Sequence, residues 1–120
     1  MIKNQLYRYK AHVVRVYDGD TCTVDIDLGL STWVRGESIR LYGINSKEVR
    51  GAEREEGLKA RDFLSSLILG KDVYIETILD KKGKYGRYIG KIYLPQPEDF
   101  TELYINDYMV ECGFAEYHDY

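Results

Sequence analysis

Three short clusters hold most of the side chains in this 120-residue sequence that could act on a ligand. VYDGDT (16–21) is a turn sequence that projects two carboxylates, Asp18 and Asp20. IRLYGINSKE (39–48) supplies Arg40, Asn45, Ser46 and Glu48, and GKYGR (83–87) supplies Lys84, Tyr85 and Arg87. Closely spaced oxygen donors suit a hard cation, and guanidinium forks suit an oxyanion. Taken singly, each cluster also has an ordinary reading. Asp-Gly-Asp is common hairpin chemistry, Arg40 fits the surface of a strand, and KKGKYG reads as a polar hairpin. Residue types alone leave both readings open.

The elements that must carry these clusters follow from hydrophobic period. CTVDIDL alternates strictly, with Cys22, Val24, Ile26 and Leu28 on one face and Thr23, Asp25 and Asp27 on the other, which predicts a half-buried strand. HVVRVY (12–17) precedes it as a strand, with Asp18-Gly19-Asp20 as the hairpin turn. SIRLYGI (38–44) is a third strand, reached across a loop around Trp33 and Gly36. Over 52–69 the period changes. Ala60, Phe63, Leu64, Leu67 and Ile68 recur every three or four residues as one face of a helix. Glu53, Glu55 and Glu56 suit its positive N-terminal end, and Gly70 is its terminator. VYIETIL (73–79) and RYIGKIYL (87–94) are two further strands, the second ended by Pro95 and Pro97. A short strand around Leu103 leads to a second helix, capped by Asn106 and closed by Gly113. The order β-β-β-α-β-β-α predicts a β-rich α+β fold: a five-stranded OB-fold-like Greek-key barrel with two to three helices, in one domain over 1–120.

Composition bounds the rest. With 44% hydrophobic and 31% charged residues, the chain balances as a folded globular protein and not as a disordered one. No apolar run approaches the roughly 18 residues of a membrane-spanning helix, and the start lacks a leader-like apolar segment with a cleavage site. The expectation is an intracellular protein, of phage or prophage type, or a secreted one if a leader has been removed. Cys22 and Cys112 lack metal-ligand spacing and are expected to be buried free thiols. Residues 1–94 carry all 17 Lys and Arg against 13 acids, a net of +4, while 95–120 carry seven acids and no base. The body is thus mildly basic and admits polyanionic partners despite the overall charge of −3. Twelve of the 16 aromatics are Tyr, a β-sheet former that also stacks on bases. His12, Trp33, Asp25 and Asp27 read as sheet, rim and wet-face residues.

In this order the clusters resemble the staphylococcal nuclease (thermonuclease) family. The resemblance runs from about Arg8 to Tyr117. It comprises the DGDT turn, a strand end of the type R-L-x-G-I-(D/N)-x-x-E, an amphipathic helix, K-Y-G-R after the fourth strand, and INDYMVECGFAEY, similar to the family's V-N-x-x-L-V-x-x-G-x-A. It implies that Asp20 ligates a metal ion, with Asn45 as second ligand and Ser46 offering its backbone carbonyl. Glu48 would orient or activate the attacking water, Arg40 and Arg87 would clamp the phosphate, and Lys84 and Tyr85 would line the nucleotide pocket. The family uses calcium and cuts DNA and RNA to leave 3′-phosphates.

The implied chemistry is coherent. Hydrolysis of a phosphodiester builds negative charge on nonbridging oxygens, and two guanidinium forks stabilise it. A hard cation neutralises the phosphate and positions water, and a nearby carboxylate accepts its proton. No base-specific reader is required, so low sequence specificity is expected. DNA or RNA is then the partner, no membrane is implied, and a monomer suffices. Three departures stand out: Asn45 replaces the usual Asp, Lys47 the usual Pro, and the founding member's long C-terminal helix is missing. Tyr117, His118 and Tyr120 remain there either as a cover for the pocket or as a frayed end. The alternative function is a catalytically silent nucleic-acid-binding barrel, which would have lost Arg40, Glu48 or Arg87. A third is a protein-interaction domain using its tyrosines.

Overall fold

A computed structural model describes residues 7–82 and 86–118, without the side chains of Leu79, Asp80 and Lys81. Three long strands come first: β1 (Arg8–Asp18), β2 (Thr21–Gly29) and β3 (Thr32–Leu41). After the two-residue β4 (Ile44–Asn45) and a tight 3-10 turn (Gly51–Glu53) comes helix α1 (Arg54–Ile68). Then follow β5 (Asp72–Lys82), β6 (Tyr88–Gln96), β7 (Thr101–Tyr104), helix α2 (Ile105–Glu111) and β8 (Glu116–Tyr117). The sheet runs β3-β2-β1-β5-β6-β7 and closes on itself where β3 pairs parallel with β6, Ile39 opposite Tyr88 and Leu41 opposite Gly90. β1, β2, β3, β5 and β6 are therefore the five staves of a barrel, and β7 is an added outer strand. This is the expected OB-fold-like architecture. No helix among the described residues is long and apolar enough to cross a membrane.

The barrel interior is filled from alternate positions of every stave: Ala11 and Val13, Cys22, Val24 and Ile26, Ile39 and Leu41, Val73 and Ile75, and Ile92. α1 plugs one end with Gly57, Ala60, Leu64 and Ile68, buried at helical spacing, and α2 adds Ile105 and Met109. Burying a Leu or Ile fully contributes about 1.5–3 kcal/mol, so these staves and plugs hold the molecule together. Phe63, beside the buried stripe, stacks on Phe114 with centroids 4.4 Å apart. β1 is irregular at its C-terminal end. Register shifts between Val13 and Arg15 and between Val16 and Asp18 break the alternation. Arg15 and Tyr17 are exposed, while Val13 is fully buried and Val16 partly so.

Four expectations need correction. The loop expected around Trp33 to Gly36 is strand: β3 begins at Thr32 and pairs with β2 there, Trp33 opposite Asp27 and Val34 opposite Ile26, and it ends at Leu41 rather than at 44. Leu28 is 47% exposed, because β2 runs past the barrel rim before the turn at Gly29. Cys112 is exposed, standing at the C-cap of α2, whereas Cys22 is buried, its thiol pushed up to about 12 by desolvation. Asn106 does not cap α2, whose N-cap is Tyr104 without a side-chain hydrogen bond. Its buried amide bridges elements instead: Oδ1 accepts from Ile92 N–H at 3.0 Å, and Nδ2 donates to the carbonyls of Tyr42 (2.9 Å) and Gly90 (3.2 Å). The chain after Ala115 is held in place up to His118. Ile44 pairs with Tyr117, Asn45 with Glu116, and His118 N–H donates to Gly43 O at 2.8 Å.

Candidate active site

The β1–β2 turn is built on a close contact. A Cβ on Gly19 would lie 2.8 Å from the Cβ atoms of Ser46 and Ala60, so only glycine lets the turn settle against α1 and the segment after β4. Asp18 and Asp20 are thereby brought beside that segment. Asp20 N–H donates to Asp18 Oδ1 at 3.0 Å. The Asp20 carboxylate is buried, its Oδ1 accepting from Thr21 Oγ1 (3.0 Å) and its Oδ2 from Ser46 N–H (2.9 Å).

Arg40 pairs with the same carboxylate, Nη2 to Oδ2, at 3.4 Å. Its side chain is 12% exposed and turns inward: Nη1 donates to the carbonyls of Leu41 (3.0 Å) and Ile44 (2.9 Å), and Nη2 to Asn45 Oδ1 (3.0 Å). Asp20 Oδ2 and Asn45 Oδ1 thus converge on one cationic nitrogen. The Asp18 carboxyl is pushed up to about 7, first by burial and then by the neighbouring Asp20. Two adjacent carboxylates beside a single guanidinium, with an amide oxygen alongside, are oxygen donors of the kind a hard divalent cation takes. Among the described residues no group of three His, Cys, Asp or Glu gathers, so the amide and a backbone carbonyl would have to complete the shell.

Glu48 and Arg87 belong to a neighbouring cleft. Both line an open cleft of about 650 Å³ with Asp18 and Thr21. Glu48 is exposed and Arg87 partly so. Glu48 is fixed through its backbone rather than its side chain. A Cβ on Gly57 would overlap the Glu48 carbonyl, so α1 abuts the chain at that residue. Glu53 grips the other side: its Oε1 accepts from Glu48 N–H at 3.3 Å and its Oε2 pairs with Lys47 Nζ at 3.5 Å. Asn45, Ser46 and Lys47 also border a separate cavity of about 350 Å³ on the α1 and β8 side, with Glu53, Lys59 and Glu116.

The structure therefore gathers Asp20, Arg40, Asn45 and Ser46 in one cluster and sets Glu48 and Arg87 in the adjoining cleft, with Asp18 in touch with both. Lys84 and Tyr85 lie outside the described residues. The sequence placed Asp18 beside Asp20 in the turn without a role for it, and it gave no sign of the contacts of Glu53, Gly19 and Gly57, which depend on tertiary packing. The residues read as ordinary are partnered. His12 Nδ1 lies 2.9 Å from Asp72 Oδ1. Asp25, whose carboxyl is held below its usual range by the Gly36 N–H and then by Arg35, anchors Arg35, and that guanidinium sits 4.6 Å from the Trp33 ring.

A small closed barrel with a buried carboxylate, an inward-facing guanidinium and an adjoining open cleft defines an OB-fold-like protein with a polar site. A family model described as staphylococcal nuclease homologue matches residues 38–120, and the chain belongs to that family. The match spans Arg40, Asn45, Ser46, Glu48 and Arg87 but begins after the β1–β2 turn. Asp20 joins the site through its bonds to Ser46 and Arg40, and Asp18 through the Asp20 N–H. A search of curated proteins found no match.

Proposed function

We propose that this protein is a metal-dependent nuclease that hydrolyses phosphodiester bonds of DNA, RNA or both with low sequence specificity, leaving 3′-phosphates. The observation that carries the reading is Glu48 and Arg87 lining one open cleft with Asp18, next to the buried Asp20 carboxylate and the Asn45 amide oxygen that share Arg40. In this reading Arg87 donates hydrogen bonds to the nonbridging oxygens of the scissile phosphate, where charge grows in the transition state. Glu48 accepts the proton of the attacking water as its oxygen bonds to phosphorus. The bond to the 5′-oxygen breaks, and that oxygen takes up a proton from solvent to leave as a 5′-hydroxyl. Arg40 holds Asp20 and Asn45 in register and adds positive charge to the phosphate side. Calcium, held by Asp20, Asn45 and the Ser46 carbonyl, would neutralise phosphate charge and orient the water. The protein acts as a monomer inside the cell.

The test is cleavage of single-stranded DNA and RNA by the purified protein with calcium, magnesium, manganese or chelator. Glu48→Gln and Arg87→Ala should keep the fold and each lower turnover at least about 10²-fold. Undiminished turnover in either variant removes that residue from the mechanism. Binding without cleavage under every metal condition makes the protein a silent nucleic-acid-binding barrel instead.

A further inference from the structure

The cleft extends well past the residues that this chemistry uses. Beyond Asp18, Glu48 and Arg87 it is walled by Arg15, Tyr17, Thr23, Ser38 and Arg50. Three of these form one row across the sheet, Arg15 opposite Thr23 and Thr23 opposite Ser38, on the outer face of β1, β2 and β3. The register shift after Val13 accompanies the change that leaves Arg15 exposed. From the other wall Arg50 Nη2 donates to Tyr17 Oη at 3.1 Å, which ties an exposed guanidinium to a phenol ring that is 45% exposed. Arg15, Arg50 and Arg87 outnumber the two carboxylates of the cleft, so it carries an excess of cations suited to a polyanion.

We propose that Arg15, Tyr17 and Arg50, above the hydroxyls of Thr23 and Ser38, form a second nucleotide subsite. It takes the phosphate and base next to the bond held at Glu48 and Arg87. The inference rests on the nuclease reading and specifies its substrate: an extended single strand, in preference to a dinucleotide or a duplex. The two guanidiniums meet the flanking phosphate, and the hydroxyls donate to its oxygens. The Tyr17 ring accepts an unstacked base on its open face, which a base inside a duplex cannot offer.

The test is fluorescence anisotropy in chelator, so that binding is read without cleavage. The probes are a labelled oligothymidylate, its duplex with oligoadenylate, and thymidine dinucleotide as competitor. Arg15→Ala and Arg50→Ala should each weaken oligothymidylate binding about tenfold and lower the slope of log K against log salt by about 0.7, the single-strand value for one phosphate contact. Tyr17→Ala should weaken it about tenfold without the 0.7 step of a lost phosphate contact, and dinucleotide affinity should fall less in all three. Lys71→Ala, at an exposed lysine outside the cleft, is the control for net charge. Losses no larger than those of Lys71→Ala, equal losses for dinucleotide and oligonucleotide, or a duplex bound as tightly as the single strand would overturn the subsite. Cleavage by the wild type with calcium is scored separately. The expected binding losses without cleavage retire the nuclease and leave a single-strand-binding groove, whereas cleavage with unaltered Arg15 and Arg50 variants retires only the subsite.

Discussion

At the scale of single residues, the charge around Asp20 decides most. Asn45 contributes an oxygen but no charge, and Arg40 already draws on it at 3.0 Å. A hard cation is held by charge and oxygen count, so calcium should bind weakly and activity should saturate at high metal concentration. Asn45→Asp adds a formal charge next to the ion and should tighten binding by at least about 1–2 kcal/mol, even when screened. Asp20→Asn should abolish binding. Calorimetry on the three proteins decides, and equal affinities would show that no calcium is held between these two residues. Asp18 supplies a second test. Its carboxyl titrates near 7 in the fold and near 3.8 when exposed, so the native state binds the proton more tightly. Stability from this group is therefore greatest at low pH and is lost as pH rises from about 4 to about 7. Asp18→Asn removes that dependence. Without metal, its melting temperature relative to wild type should rise across that window and level off below it. A flat difference would show that Asp18 is not burdened by its surroundings.

At the scale of elements, α1 is both barrel plug and positioning device, and Gly57 exposes the conflict between those roles. Replacing glycine by alanine inside a helix gains about 1 kcal/mol from propensity. At this position the added methyl would overlap the Glu48 carbonyl, which is backbone and cannot rotate away. The clash outweighs the propensity, so Gly57→Ala should lower stability by about 1–3 kcal/mol and reduce turnover by displacing Glu48. A more stable and fully active variant, judged by denaturant melts and cleavage rates, would mean that α1 has room to shift. These contacts explain what the sequence revealed and what it hid. Strict alternation showed β2, and three-four spacing showed α1, because each pattern reports burial along a single element. The offset in β1, the exposure of Leu28 and the bridging amide of Asn106 depend on partners far along the chain. Local period does not encode them. The same division holds in the site. The resemblance to the nuclease family pointed to Arg40, Asn45, Glu48 and Arg87, whereas Glu53 and Gly57 acquire their contacts only when α1 docks.

At the scale of the whole molecule, charge is sorted along the chain, bases in residues 1–94 and an excess of acids in 95–120. The arginine-bearing cleft lies on β1 to β3. The acidic C-terminal segment forms β7, α2 and β8: β7 pairs with β6 on the outside of the closed barrel, and β8 pairs with β4, Glu116 opposite Asn45. A nucleic acid approaching from a distance meets the field of both. An acid that does not touch the substrate acts on it through the field, which reaches about 30 Å in 0.01 M salt and only about 8 Å in 0.15 M. Glu98 and Glu111 are suited to a test because both are exposed. Glu111 also sits in the last turn of α2, where an acid opposes the helix dipole, so its neutralisation carries no stability cost from that source. The double variant Glu98→Gln/Glu111→Gln should raise kcat/KM on single-stranded DNA a few-fold in low salt, through faster association, and match wild type near physiological salt. An increase that persists at high salt would point to a local contact instead of a field. No increase at low salt would mean that substrate reaches the cleft along lines of approach that the acidic segment does not govern.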